Sequence, residues 1–415
     1  MDHLPPEIIT NIVYYFYSEV SDGPDHPIAP LSVLCRHWQP VIEAETFRHL
    51  RLDPELMDYA VKSNILTGRL SYIRRLTYTF RCQDGSVPLR FGQWYNHLEF
   101  DLVVKTLFEH IARIPLGEEP SLDLEFFIPH MIDLPTYNAC GFWSDPDVEI
   151  APPDLPELPM VRSFNMKSMH RGKVYSPRAI LYMASKMSRL LECSVVMSPP
   201  AIKVSSMHQR TELAQSLSEL PMSIHNFSLR YHQDFNLLDG LLAMKDGEDI
   251  LTRELRRFSQ RPGLKDFTFH GCVEPSIFWP SNTPNSQHWP TLKAFVIHLD
   301  HVQHLAALHA GESIAKAKEA GSGDRIYVHK GIMNEFFHAA AKCSARMPNA
   351  EYNSLDFIDK WYTSLSFCTV FPEDPCLTIN GKQGLEIDDE VMEEWRKTAE
   401  IHNLRFKVRF GGPES

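Results

Sequence analysis

The densest group of potentially reactive side chains in the sequence is the stretch HLDHVQH, which runs from His298 to His304. His301 and His304 are three residues apart and would share one face of a helix, where imidazole nitrogens bind metal ions. His298 and Asp300 would approach from the end of a preceding strand. A loop with surface histidines explains the same pattern, and we prefer this interpretation to a structural or catalytic metal site.

The motifs that carry nucleotide or hydrolytic chemistry are missing from the sequence. It has no GxGxxG or Walker loop, no GxSxG elbow and no HExxH pair. Acidic pairs such as Asp388-Asp389 and Glu393-Glu394 are typical of helix caps and solvated helix faces. The sequence therefore predicts a protein that is not an enzyme and that carries no cofactor.

Charge and cysteine usage limit the class of protein further. The chain has 415 residues, with 41 basic and 53 acidic side chains and a net charge of −12, which disfavours nucleic acid as a partner. Its eight cysteines are scattered without a CxxC pair, as expected of reduced core thiols. There is no secretory signal and no apolar run long enough for a membrane span, so we expect a cytoplasmic or nuclear protein.

The elements at the N-terminus are short and strongly apolar. Pro5 and Pro6 suit the first turn of a helix, where amide hydrogens lack partners. Leu4, Ile8 and Ile12 then recur at helical spacing. So wide an apolar surface on a short helix must be buried against something.

A second apolar stretch follows after a polar loop that is rich in Pro, Gly and Asp. Leu31, Leu34 and Trp38 would share one helical face, and Pro40 divides the stretch into two helices near Gln39. The pattern thus predicts three short helices in the first 52 residues, too few to be stable alone.

These residues resemble the F-box, a small helical docking module. The end of the stretch, Glu45 to Leu52, is similar to a variant in a family of filamentous-fungal F-box proteins. The residues that carry the resemblance are Leu4, Pro5, Glu7, Ile8, Ile12, Val33, Cys35, Arg36 and Trp38.

The resemblance implies a function in protein degradation. F-box modules bind the Skp adaptor of a cullin–RING ubiquitin ligase, and the remainder of the chain presents a target protein. The adaptor-binding or supporting positions implied by the resemblance are Leu4, Pro5, Ile8, Ile12, Leu34 and Trp38. One departure is the loop between Phe16 and Leu31, which is longer than in typical F-boxes.

Residues 53–415 form the second predicted domain, after the module at residues 1–52. Helical stretches alternate with short apolar strands, which predicts an α/β (α+β) fold in which each unit buries its neighbour's apolar face. The uneven spacing of the units favours an irregular, leucine-rich-repeat-like array. We expect strands at 70–80, 121–128, 160–166, 225–231, 264–269, 292–299, 350–357, 377–379 and 404–410, and helices at 104–114, 177–191, 212–220, 250–258, 331–346 and 387–401.

The preferred functional hypothesis is a substrate receptor that docks on the Skp adaptor and presents an unknown target protein, with no nucleic acid or membrane as partner. The alternative is a non-catalytic interaction scaffold whose N-terminal helices pack on the body and no longer bind the adaptor. The weaker alternative is a metal-dependent enzyme that uses the cluster from His298 to His304.

Overall fold

The structure is a computed structural model, and it describes residues 4–5, 7–12, 36, 38–66, 68–79, 97–128, 154–168, 177–197, 206–231, 248–280, 287–300, 330–358, 363–368, 376–380, 387–403, 406 and 408–411. The chain divides into two compact units. Unit 1 comprises residues 1–130, 152–167 and 186–190, and unit 2 comprises residues 131–151, 168–185 and 191–415.

Unit 1 combines short helices with a mainly parallel sheet. Its helices are α1 (residues 7–12), α2 (Gln39–Arg48), α3 (Pro54–Lys62) and α4 (His97–Ile111), with a 3-10 turn at Leu70–Tyr72. Its strands are β1 (His49–Leu52), β2 (Arg75–Thr79), β3 (Leu122–Ile128) and β4 (Val161–Ser168), in that order, and β1, β2 and β3 pair in parallel.

Unit 2 repeats the same plan with more strands. Its helices are α5 (Pro177–Ser185), α6 (Ser206–Glu219), α7 (Ile250–Ser259), α8 (Lys330–Ser344) and α9 (Asp389–Ile401), with a 3-10 turn at Pro275–Ile277. Its strands, again in chain order, are β5 (Glu192–Met197), β6 (Asn226–Tyr231), β7 (Asp266–Gly271), β8 (Ala294–Asp300), β9 (Tyr352–Ile358), β10 (Thr363–Cys368), β11 (Cys376–Asn380) and β12 (Val408–Gly411).

Strands β5 to β9 pair in parallel, each with its neighbour in the sequence. Strand β10 is antiparallel to both β9 and β11, and β12 returns to a parallel pairing with β11. Because every strand lies beside its neighbours in the sequence, the unit is an array of helix–strand segments of the kind that repeat proteins use.

One face of the strands in each unit supplies the core. In unit 1, the ring of Phe126 makes edge contacts with Tyr78 at 6.3 Å and with Phe164 at 5.6 Å between centroids. In unit 2, Phe258 of α7 packs 4.5 Å from Phe227 of β6. Phe336 and Phe337 of α8 likewise contact Phe357 of β9. Since alternate side chains of a strand point to opposite faces, these helix contacts place α7 and α8 on one face of the unit 2 strands.

A repeated backbone bond sets the register of unit 2. The carbonyl of the residue before a strand accepts two N–H groups from the start of the next strand. Thus the carbonyl of His225 accepts from Lys265 at 2.7 Å and from Asp266 at 3.0 Å. The carbonyls of Lys265 and Lys293 do the same one strand further on. The repetition aligns the strands residue by residue across the array.

The predicted α/β class is confirmed, because helices and strands alternate along the chain. The strands expected at 121–128 and 225–231 lie at Leu122–Ile128 and Asn226–Tyr231. The three-helix arrangement of the N-terminal module stays a prediction, since residues 13–35 and 37 lie outside the described residues. Among the described residues, the helices are too short or too polar to cross a membrane.

Several expectations differ from the structure. The strand expected at 70–80 is a 3-10 turn at Leu70–Tyr72 followed by β2, and the helices expected at 104–114 and 212–220 begin earlier, at His97 and Ser206. The helix expected at 177–191 ends at Ser185, because the following residues form a turn whose Leu190 N–H bonds the carbonyl of Met187 at 2.9 Å. The last strand was expected to begin at residue 404. The structure begins β12 at Val408, so that Phe406 lies outside it. The elements that we did not expect are α3, β1, β5 and β10.

Candidate docking and recognition surfaces

Helix α1 places two adjacent isoleucines in opposite environments. The Pro5 carbonyl accepts the N–H groups of Ile8 at 3.0 Å and of Ile9 at 3.2 Å, which fixes the first turn. Ile9 is fully buried, whereas 43% of Ile8 is exposed, and Pro5 is exposed beside it. The outer surface of α1 therefore carries a small apolar patch, formed by Pro5 and Ile8.

The inner side of α1 belongs to a small apolar cluster. Its buried members are Ile9, Trp38 and Ile42, and the partly buried side chains packed on it are Leu4, Ile12 and Val41. Of the six positions implied by the F-box resemblance, Pro5 and Ile8 face outward, and Leu4, Ile12 and Trp38 belong to the cluster. Leu34 lies outside the described residues.

Helix α2 is tied to the sheet of unit 1 without an intervening linker. It ends at Arg48, and β1 begins at His49. Arg69 donates to Glu43 of α2 at 2.7 Å, and its guanidinium lies 5.2 Å from the centre of the Phe47 ring. The hydrogen bond from Arg69 outweighs partial burial and holds the pKa of Glu43 below its ordinary value. The support for α1 is thus part of the unit.

The face of the unit 1 sheet opposite its core is lined with charges. Glu125 of β3 accepts from Lys167 at 2.6 Å and from Thr77 at 3.2 Å. Burial opposes the charge on Glu125, but the hydrogen bond and charge of Lys167 prevail and its pKa lies below the ordinary value. Burial, together with the charges of Arg75 and Arg48, lowers the pKa of His49.

In unit 2, the face of β5 to β9 opposite the helices forms three cross-strand rows, which together we call the uncovered face. The first row is Glu192, Asn226, Asp266, Ala294 and Tyr352; the middle row is Ser194, Ser228, Thr268, Val296 and Ser354; the last row is Val196, Arg230, His270, His298 and Asp356. No described helix packs on these side chains, and polar groups dominate all three rows. Arg230 and Tyr352 are exposed, His270, Ser354 and Asp356 are buried, and the other side chains are half-buried.

The last row contains a hydrogen-bonded pair. Nδ1 of His298 lies 2.9 Å from Oδ2 of Asp356, and the Ser354 hydroxyl donates to Oδ1 of the same carboxylate at 3.1 Å. A carboxylate only accepts, so Nδ1 of His298 carries the hydrogen and Nε2 is left for another partner. The ring of His270 lies 5.6 Å from that of His298, and Arg230 is exposed on the next strand.

The first row carries carboxyl groups. Burial and the nearby charge of Glu351 raise the pKa of Asp266 above its ordinary value, although Lys293 and Lys265 act in the opposite sense. Lys293 is itself bound to Glu351, and that hydrogen bond raises the pKa of the Lys293 ammonium. Two acidic side chains, Glu192 and Asp266, therefore lie in the first row, whereas the last row holds Arg230, two histidines and the Asp356 carboxylate.

The metal hypothesis gains no support from the part of the chain that the structure describes. There, no group of three or more His, Cys, Asp or Glu side chains is placed to hold a metal ion. His298 is engaged with Asp356. His301 and His304 lie outside the described residues, so their contribution stays untested.

The four cysteines whose side chains the structure describes are buried and are not placed as reactive groups. Cys193, Cys272, Cys343 and Cys368 are buried and form no disulfide. Burial raises the pKa of Cys193 to about 12 and also raises that of Cys343. Both groups are neutral thiols at pH 7, as core residues are, and neither supplies a nucleophile.

Neither the buried position of Ile9 in the α1 cluster nor the pairing of His298 with Asp356 was predicted from the sequence. A signal for the last row exists, because Arg230, His270 and His298 each stand three residues after a phenylalanine in an alternating strand. Asp356 stands at the same place in the next strand, after Asn353. Only the register, set by the backbone, shows that these positions are neighbours.

Comparison of the sequence with models of known protein families and with curated proteins finds no match. The F-box resemblance therefore rests on the residues quoted for it.

Proposed function

We propose that this protein is an F-box-like substrate receptor. Its N-terminal helices dock on the Skp adaptor of a cullin–RING ubiquitin ligase, and its helix–strand arrays hold a target protein in the cytoplasm or nucleus. The chain performs no chemistry, since ubiquitin transfer belongs to the ligase partners. The observation that carries the proposal is the exposed pair of Pro5 and Ile8 on a helix whose opposite side is buried.

Three features support this assignment. An exposed isoleucine beside a proline presents apolar area that water solvates poorly, and burial against an adaptor would remove it from solvent. The cluster of Ile9, Trp38 and Ile42 holds α1 in place before binding, which lowers the entropy cost of docking. The polar uncovered face of unit 2 supplies a separate surface for a target.

The test is a pull-down with purified Skp adaptor that compares the wild type with Ile8→Asp. A charge placed in a desolvated apolar contact opposes binding, so we expect at least about a tenfold loss of affinity. The matched control is Leu56→Asp on α3, because Leu56 is 49% exposed and Ile8 is 43% exposed. Ile12 is not a suitable site for this test, since it packs on the cluster.

Adaptor binding by the wild type and Leu56→Asp, but not by Ile8→Asp, would support the docking assignment. If the wild type fails to bind, or if Ile8→Asp binds as well as the control, the assignment is wrong. Circular dichroism of each variant checks that the fold is retained.

The second candidate is an interaction scaffold without adaptor binding. It is favoured by the direct join between α2 and β1 and by the bond between Arg69 and Glu43, which make the N-terminal helices part of unit 1. A wild-type chain that binds no adaptor but keeps α1 protected from hydrogen exchange would select this candidate.

A further inference from the structure

The uncovered face of unit 2 has an electrostatic direction. Glu192 and Asp266 lie in the first row, whereas the last row holds Arg230, His270, His298 and the carboxylate of Asp356, which is paired with His298. The two rows are four residues apart along each strand, which corresponds to about 13 Å. The first row thus carries carboxylates, and the last row carries the exposed guanidinium of Arg230 beside a histidine–carboxylate pair.

The row between the two charged rows is small and rich in hydroxyl groups. Ser194, Ser228 and Thr268 are half-buried members of this row, and the fourth hydroxyl, of Ser354, is buried and donates to Asp356. Such side chains leave room for a main chain and can both donate and accept hydrogen bonds. An apolar helix would find little surface to bury there, whereas an extended polypeptide would find hydrogen-bonding partners.

Arg230 is the charge best placed to meet a ligand. It is exposed, and it forms no ion pair with any residue in the described ranges. His298 lies two strands away in the same row, oriented by Asp356 so that Nε2 is available. Its side chain is 30% exposed. An acidic group between these strands would meet one permanent cation and one imidazole.

We propose that the uncovered face of unit 2 binds an extended, unmodified protein segment that carries an acidic and a basic side chain four residues apart. In an extended segment, residues i and i+4 point to the same side and lie about 13 Å apart, which matches the spacing of the two charged rows. The acidic side chain binds at Arg230 and the basic side chain at Asp266 and Glu192. This inference rests on the target-holding part of the proposed function.

The experiment is selection from a library of unphosphorylated ten-residue peptides by the immobilised full-length chain, with no adaptor present. We expect retained peptides to share an acidic residue four positions from a basic one. Their binding should weaken as salt is raised, because exposed charges are screened.

Two variants assign the positions. Arg230→Glu should lower the affinity for the best-bound peptide by about fivefold or more. Selection with this variant should favour Lys or Arg where the wild type selects an acidic residue. Asp266→Asn should remove selection of the basic residue while leaving the acidic one. Arg257→Glu on α7 makes the same charge change at an exposed site on a helix, and it should change neither affinity nor selection.

The proposal is overturned by retention of no peptide, by retained peptides without the charge pair, or by equal effects of Arg230→Glu and Arg257→Glu. Retention that requires phosphorylated peptides would also overturn it, in favour of a phosphate site. Adaptor binding is measured separately through Ile8, so a failure here and a failure of docking are distinguishable.

Discussion

At the scale of single residues, neighbours in the sequence have unrelated surroundings. Ile8 and Ile9 are adjacent and chemically identical, yet one is 43% exposed and the other is fully buried. The difference arises because successive residues of a helix point about 100° apart. Ile9 can therefore support α1, while Ile8 remains available for a partner.

Truncation of these two isoleucines should give opposite results. Ile9→Ala removes buried methyl groups from the cluster with Trp38 and Ile42, and we expect it to destabilise the packing of α1 by about 2–4 kcal/mol. Ile8→Ala should change stability by less than about 0.5 kcal/mol. Hydrogen exchange of residues 7–12 measures both effects. Equal protection of α1 in the two variants would contradict the assigned packing.

Asp266 should make stability depend on pH in a particular direction. Its pKa is raised by burial and by Glu351, so the folded state binds this proton more tightly than the unfolded state does. The stability that protonation provides is lost as the pH rises from about 4, the ordinary pKa of an aspartate, through the raised pKa. Asp266→Asn removes the titration.

We therefore expect Asp266→Asn to be at least as stable as the wild type at pH 7, with the difference shrinking as the pH falls toward 4. Urea denaturation of both proteins at several pH values measures the difference. A variant that is less stable at pH 7 but not at pH 4 would show that the carboxylate is favoured rather than opposed by its surroundings.

At the scale of elements, one buried ion pair joins two helices to the end of a strand. Arg210 of α6 donates to both oxygens of Asp249, and its Nη1 also donates to the Cys272 carbonyl at 3.0 Å. Asp249 caps α7 by accepting the Thr252 N–H at 2.8 Å. Because both charged side chains are almost fully buried, each depends on the other to offset the loss of water.

Removing one charge of this pair should be costly. Asp249→Asn keeps an oxygen for the Thr252 amide but leaves the Arg210 guanidinium buried without a counter-charge, and we expect a loss of about 3–5 kcal/mol. Arg210→Met combined with Asp249→Asn removes both charges and should be less destabilised than Asp249→Asn alone. Urea denaturation compares the variants. A double mutant worse than the single would mean that Arg210 acts mainly through the Cys272 carbonyl.

At the scale of the whole molecule, each unit is an array in which every strand pairs with its neighbours in the sequence. Stability in such an array is a sum of local and nearest-neighbour terms. Damage at one position should therefore spread over adjacent strands and fade with distance along the array.

Hydrogen exchange of Asp249→Asn tests this expectation in unit 2. The broken ion pair between Arg210 and Asp249 contacts α6, α7 and Cys272, the residue after β7. Hydrogen exchange should therefore rise most in β6, β7 and β8. Strands β10, β11 and β12 should be least affected. A uniform rise across all strands would instead indicate that unit 2 opens as a single cooperative body.

Much of the fold, but little of the candidate site, could be predicted from the sequence. Alternation of apolar residues is local, and it was enough to predict the strands near 121–128 and 225–231. The pairing of His298 with Asp356 joins residues 58 positions apart and depends on register, which backbone bonds set. Strand β1 was missed because HLRL follows a helix directly, so no turn signal marks where it begins.

The order of the strands also bears on how the chain is made. A ribosome releases the polypeptide from its N-terminus, and within each unit a newly emerged strand would find the edge that it needs already formed by the strand before it. No strand has to wait for a partner encoded much later. The exposed edge moves along the nascent chain one segment at a time, which shortens the period during which any unpaired strand can join another molecule.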